Sequence, residues 1–337
     1  MPKLFICSFI ILTQFSAFVR AEPALPENDR IRIAEAFRLG ETLRKEIWAG
    51  WQQTPFSLLL ITENHEFLIR HAKPSDEFKS IGYDELLKSE IFVRPRAFQK
   101  NFLATFPAFG KPLIVVGQAE NTSAKTSTPW VFTVLHEHFH QMQFASKNYY
   151  AEVEALNLSR GDQTGMWQIN FPFPYKDEKI GEEFKNLSRL LFDAFYAKGK
   201  NEQAKKLDEY LSARKRFAEN LSVDDYKYFS FQIWQEGIAR YTQYKTAQLA
   251  AREIKPGKEF RKLKDFTPFS VEAENILRTT TNELKNFNLT KNERIAFYPF
   301  GAFEGFLLDK INPKWRESYF TKKFALEDFY IASPFAK

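Results

Sequence analysis

The chain has 337 residues, with 48 Lys and Arg against 42 Asp and Glu and a net charge of +6. So mild an excess over this length gives no case for nucleic-acid binding, and the length is ample for one large domain or two ordinary ones. Aromatic residues make up 16% and 36 Phe dominate them; a ring-filled core is expected, and an apolar cleft would be built from the same material.

In chain order, Met1-Pro-Lys3 gives a short basic start, Leu4 to Phe18 is a nearly unbroken apolar run, and Val19-Arg-Ala21 offers a small-residue cleavage site. This pattern predicts a signal peptide over residues 1–21 and a secreted or periplasmic mature protein. The run is short for a bilayer span, and no later stretch approaches that length, so no stable membrane insertion is expected after cleavage; a retained anchor is the alternative. The one cysteine, Cys7, lies in this leader, which leaves the mature chain no thiol, disulfide or Cys ligand.

Asn28–Trp51 reads as an amphipathic helix with Ile33, Phe37, Ile47, Trp48 and Trp51 near one side. Strands are expected at Phe56–Thr62 and Glu66–Arg70, joined by a turn at Glu63-Asn64-His65, then at Ile91–Pro95, Asn101–Phe106 and Pro112–Gly117. A polar loop, Gln118–Pro129, leads into an apolar helix around Trp130–Gln143. Helices are expected again at Ile180–Lys198, Glu202–Asn220 and Asp225–Glu253, with a shorter one at Gly301–Lys310. Between them Arg160–Asp177 carries Trp167, Phe171, Phe173 and Tyr175; a packed surface loop is favoured there over a substrate lid. The expected class is α+β: a mixed sheet layer with a helix over residues 22–147, ending in the apolar helix, then a mainly helical part over 148–337. N-x-S/T acceptor patterns occur at Asn121, Asn157, Asn186, Asn220 and Asn288, relevant only where secreted proteins are glycosylated.

The chemistry centres on the apolar helix, which contains His136-Glu137-His138-Phe139-His140, an H-E-x-x-H pattern. Positions four apart on a helix lie about 40° apart around the axis and one turn along it, so both imidazoles reach one ion. Glu137 flanks the same face, where it can take a proton from a water that the metal activates. His138, about 200° from His136, should point away. The bland reading, an apolar helix that happens to carry histidines, leaves several buried polar groups to be satisfied by something else.

A catalytic zinc takes three protein ligands and keeps one position open. Two histidines remain outside the motif, His65 and His71, and both fall in the strand layer. With cysteine gone, a carboxylate is the favoured third ligand. A His six positions past the motif would fall on Ser146, and a Glu about nineteen positions past it on Ser159, so neither short-range option exists. Downstream, Trp234-Gln-Glu236-Gly237-Ile-Ala-Arg240-Tyr241 places a carboxylate in an apolar-faced helix, where it needs a reason. The alternative is an ion pair of Glu236 with Arg240 one turn later.

This segment resembles the W-x-x-E-G-x-A-x-Y stretch of gluzincin metallopeptidases in the Peptidase MA clan, one residue shorter between Trp and Glu. The resemblance implies that Glu236 is the third zinc ligand beside His136 and His140. Some members keep an Asp one turn after this Glu to orient a ligand His; Arg240 stands there, so the orienting group must come from elsewhere. Tyr298-Pro-Phe-Gly301-Ala302 resembles the Y-x-x-G-A motif of aminopeptidase N-like members and implies a hydroxyl that steadies the oxyanion; a turn opening the C-terminal helix is the plainer reading. Gly117-Gln-Ala-Glu120-Asn121 is similar to their amine-binding G-x-M-E-N strand, with Ala in place of Met, which would make Glu120 a substrate-binding residue unless the match is coincidental. The expectation is a zinc-dependent hydrolase acting on peptides or proteins, with Glu137 as general base. Its rivals are a non-catalytic binding protein whose zinc is structural, with His65 or His71 as a fourth ligand, and a hydrolase of non-peptide esters or amides.

Overall fold

In the computed structural model, which describes residues 23–331, the chain opens on helix α1 (Glu27–Ile47), whose Ile33, Phe37 and Ile47 are buried. The expected signal segment, with Cys7, lies outside the described residues. Six strands follow: β1 (Leu58–Ile61), β2 (His65–Ile69), β3 (Lys79–Asp84), β4 (Ser89–Pro95), β5 (Leu103–Ala108) and β6 (Lys111–Gly117). They form one sheet in the order β3-β4-β2-β1-β6-β5, with β1 and β6 parallel and the other pairs antiparallel. The mixed sheet, followed by a helical remainder, makes the fold α+β.

Side chains alternate faces along a strand, and here both faces are covered. Leu58 and Leu60 of β1 join Ile114 and Val116 of β6 in the core beneath the helices, while Leu59, Ile61, Leu113 and Val115 join a smaller core on the other face. A strand buried on both sides reads as an apolar run, which is why β1 and β6 are visible in the sequence. Strand β3 is not. Its residues are almost all exposed, and a register shift between Ser80 and Tyr83 breaks its pairing with β4, so no hydrophobic period marks it.

Helix α2 (Ser127–Ala145) crosses the inner face of the sheet, packed on β6, β5 and α1. Nearly every residue is buried; a helix enclosed on all sides needs no polar face. Its N-terminus is held by Asp265, which accepts from the Ser127 backbone N–H at 2.9 Å and from its hydroxyl at 2.6 Å, as a capping carboxylate should.

The remainder is helical: α3 (Tyr149–Ala155), α4 (Trp167–Asn170), α5 (Glu178–Tyr196), α6 (Lys200–Asn220), α7 (Val223–Gln232), α8 (Ile238–Glu253), α9 (Phe269–Asn286), α10 (Leu289–Asn292) and α11 (Phe297–Ile311), then the short turns α12 (Trp315–Ser318) and α13 (Asp328–Ile331). The 160–177 segment is packed down: Trp167, Phe171 and Phe173 are buried, and Tyr228 and Gln232 donate to the Gln168 carbonyl. The continuous helix expected over 225–253 is interrupted by a π-turn, Ile233–Gly237, in which Ile238 N–H bonds back to the Ile233 carbonyl. The two larger cores do not divide at residue 147. Trp48 and Trp51 sit among the C-terminal aromatics, and Ala247, Phe269 and Ile276 sit under the sheet. Among the described residues no helix is long and apolar enough to cross a membrane.

Candidate metal centre

The α2 helix turns His136, Glu137 and His140 into one buried cluster, whose ligand atoms lie within 4.8 Å of one another. Such a group can hold a metal ion. The two Nε2 atoms stand 3.2 Å apart. The π-turn brings a further carboxylate to them, with Glu236 Oε2 3.4 Å from His140 Nε2 and 3.9 Å from His136 Nε2. Ligand atoms around tetrahedral zinc, bound at about 2.0–2.2 Å, are separated by about 3.3 Å, so the donor spacing fits with the His136–Glu236 edge somewhat open. A π-turn holds one residue more than an α-turn, a distortion common at functional sites. The ion pair of Glu236 with Arg240 does not form; Arg240 reaches Glu283 instead, at 3.8 Å.

Two glycines make this approach possible. A Cβ on Gly237 would stand 2.5 Å from Gly301 Cα, and one on Gly301 would stand 2.7 Å from Gly237 Cα. The π-turn and α11 therefore cross backbone against backbone, and any side chain at either position would separate them. Helix α11 starts at Phe297, earlier than the Gly301 start expected, because Pro299 is tolerated in a first turn, where its missing N–H would have no partner anyway. Tyr298 is thereby helical and faces the cluster. Its hydroxyl accepts from Arg294 Nη1 at 2.6 Å, and burial, followed by the charge of nearby Glu236, pushes the phenol well above its ordinary range.

The orientation of His140 is set by Gln143, one turn on. Gln143 Nε2 donates to the carbonyls of Trp234 and Gln235, at 3.1 and 2.9 Å, and to Tyr319 Oη at 2.8 Å. Carbonyls only accept, so the amide nitrogen must face them and Oε1 must face His140 Nδ1, 2.6 Å away. Nδ1 then carries the hydrogen and Nε2 presents its lone pair to the cluster. The Gln235 amide lies farther from Nδ1, at 3.3 Å, and the shorter contact decides. His136 Nδ1, by contrast, is buried with no hydrogen-bond partner among the described residues.

With protons as the only cations present, burial works against a charged His140, but the Glu236 carboxylate outweighs it and pushes the ring up to about 9. For His136 burial wins and the ring falls below its ordinary value. Burial alone would raise Glu236; the two imidazoles close beside it, His140 foremost, hold it well below the usual carboxylate range. A metal ion entering this site would displace the proton on His140.

Glu137 is buried, and Thr105 Oγ1 on edge strand β5 lies 2.8 Å from its Oε2 and 2.9 Å from its carbonyl oxygen. Thr105, Gln143 and Arg294 are the residues the sequence analysis did not single out. Gln143 had a local signal, a polar side chain one turn after His140 in an apolar helix; Thr105 and Arg294 had none. His138 faces the other way, its ring 3.8 Å from that of Phe56 and nearly parallel to it, with Nδ1 2.8 Å from Gln141 Oε1.

The structure does not bring the other candidates to the cluster. Glu120 is paired with Arg32 at 3.0 Å, and Arg32 also binds Ser127 Oγ at the start of α2. His136 lies about 13 Å further along that helix at 1.5 Å per residue. His65 opens β2 and His71 follows it, with Nδ1 on the Ala72 carbonyl.

Comparison with protein-family models, with curated protein sequences and with solved structures found no match for this chain.

Proposed function

We propose that the protein is a zinc-dependent hydrolase of gluzincin type, exported by its N-terminal leader and acting on peptides or proteins. The observation that carries this reading is the convergence of Glu236 on the two facing Nε2 atoms at 3.4 and 3.9 Å. Two imidazoles and a carboxylate are a catalytic-type donor set, whereas a structural site fills all four positions with protein groups. His136, His140 and Glu236 would hold the ion. Zinc supplies a Lewis acid that makes water a nucleophile at neutral pH.

The chain's own residues do the rest. Thr105 fixes Oε2 of Glu137, and Oε1 makes no hydrogen bond within the described residues, so this carboxylate is placed to take a proton and return it to a leaving amine. Arg294 donates to Tyr298, which leaves the phenolic hydrogen for an acceptor. A carbonyl oxygen gaining negative charge during reaction would take it.

The test combines metal content with turnover. Purified protein should bind about one zinc per chain, and Glu236→Gln should weaken binding strongly. Glu137→Gln keeps the shape and removes the basicity; it should retain zinc and lose peptide hydrolysis by at least about a hundredfold. A wild type that binds zinc and cleaves nothing in a peptide library would point instead to a binding scaffold. An equally active Glu137→Gln variant would refute the mechanism.

A further inference from the structure

Arg294 lies in the 3-10 turn Glu293–Ala296, just ahead of α11. Among arginines whose side chains are described as buried or half-buried, it alone meets no carboxylate. Every other one has an ion pair, from Arg30 with Asp84 to Arg316 with Asp309. Arg294 has Tyr298: one Nη1 bond to the phenol, and the guanidinium 5.6 Å from that ring's centre. Tyr175 and Tyr228 are its other polar neighbours, and the charge of Glu236 reaches it from across the Tyr298 hydroxyl. The remaining guanidinium donors make no hydrogen bond among the described residues and are not sealed from solvent.

A half-buried guanidinium that gains only one phenol is poorly compensated for its lost hydration. Its planar fork matches a carboxylate with two parallel hydrogen bonds. Glu236, whose charge reaches Arg294, is committed to the ion in the proposed site, and a divalent ion there leaves the surroundings of Arg294 more positive. We propose that Arg294 receives a carboxylate of the substrate, so that the preferred substrate is an anionic peptide. The carboxylate is either the peptide's C-terminus or an acidic side chain close to the bond cleaved. The identity of the ligand rests on the peptidase reading above; the anion site itself does not.

The experiment is calorimetric binding to zinc-loaded protein of three N-acetylated dipeptides: one with a free C-terminus, its C-terminal amide, and an amide carrying a Glu side chain. Wild type should bind at least one anionic peptide about tenfold or more tightly than the neutral amide, and which one tells the source of the carboxylate. In Arg294→Met the ratio should fall to near one with zinc content unchanged. A carboxylate held by the ion alone would keep its preference in that variant and overturn the proposal, as would a wild type indifferent to charge. Should Arg294→Met fail to fold, Arg294→Lys keeps the charge without the fork and should lose most of the ratio; an undiminished ratio there counts against the proposal. Zinc-loaded wild type that shows the anionic preference but cleaves no peptide would sink the hydrolase reading and leave the anion site standing. Cleavage without the preference would do the reverse.

Discussion

Two buried polar clusters sit in the helical part of this molecule, and they differ in how their charges are met. In the first, Arg214 is enclosed between α6, α11 and the C-terminal segment. Its Nε donates to Glu304 at 2.8 Å, its Nη1 to Tyr226 at 2.7 Å and its Nη2 to Glu327 at 3.2 Å, while Tyr210 donates to Glu304 as well. Each arm of the guanidinium ends on a protein oxygen, so none is left over; Glu304 Oε2 and the Tyr330 hydroxyl make no hydrogen bond among the described residues, but both are buried. In the second, the imidazoles of His136 and His140 face each other and Glu236, and Arg294 ends on a phenol with donors to spare. A closed cluster holds elements together; an open one, with donor atoms converging on a point or left over, is built for something not in the chain.

The sharpest way to break this distinction is to remove one partner from the closed cluster. Glu304→Ala leaves Arg214 short of a charge partner in the core, a change that costs about 3–5 kcal/mol. Urea unfolding should show that loss, while zinc affinity measured on the folded fraction stays unchanged. A large change in zinc affinity with stability intact would mean that the two clusters are not separate.

Next comes the group that aims the open cluster. Gln143→Ala removes the acceptor from His140 Nδ1 and the donor from three oxygens. Loss of such an orienting partner typically costs about 10–100-fold in metal affinity, read by competition with a zinc chelator. Gln143→Glu keeps an acceptor toward Nδ1 and should recover part of that loss. If Gln143→Ala binds zinc like the wild type, the tautomer argument fails.

The smallest effect comes from a buried carboxylate with neither arrangement. Glu272, in the first turn of α9, takes part in none of the ion pairs among the described residues, and burial, slightly offset by Asn275, pushes it up to about 7 from 4.5. Below pH 4.5 both folded and unfolded chains carry the proton, and the group costs nothing. Between 4.5 and about 7 only the folded chain keeps it, so stability falls as pH rises, and above 7 the full penalty is present. The shift taken whole corresponds to about 3 kcal/mol; with partial solvent access about 1–2 kcal/mol is expected. Glu272→Gln should therefore match the wild type in urea unfolding at pH 4 and exceed it at pH 8. Equal stability at both pH values would show that Glu272 is not isolated from counter-charge.

What could be read from the chain alone follows the range of the interactions. The pairing of His136 with His140, and the placing of His138 on the opposite side, depend only on the period of a helix. Strands β1 and β6 announce themselves because burial on both faces demands an apolar run, and α5 and α6 because their faces repeat every three to four residues. Glu236 and Tyr298 were suggested by short motifs, but no local rule says that either lies near His140. That was decided by the close crossing at Gly237 and Gly301 and by the π-turn that swings Glu236 out of the line of its helix. The 225–253 segment shows the limit: its composition favours one unbroken helix, and packing against α11 decides where it is interrupted. Glu120 shows another. It belongs to a plausible short motif, yet the chain folds it against Arg32 at the far end of α2. Arg294 had no signature at all, because an arginine's role depends on which carboxylates the fold brings to it, and pairings between distant parts of a chain are set by tertiary structure.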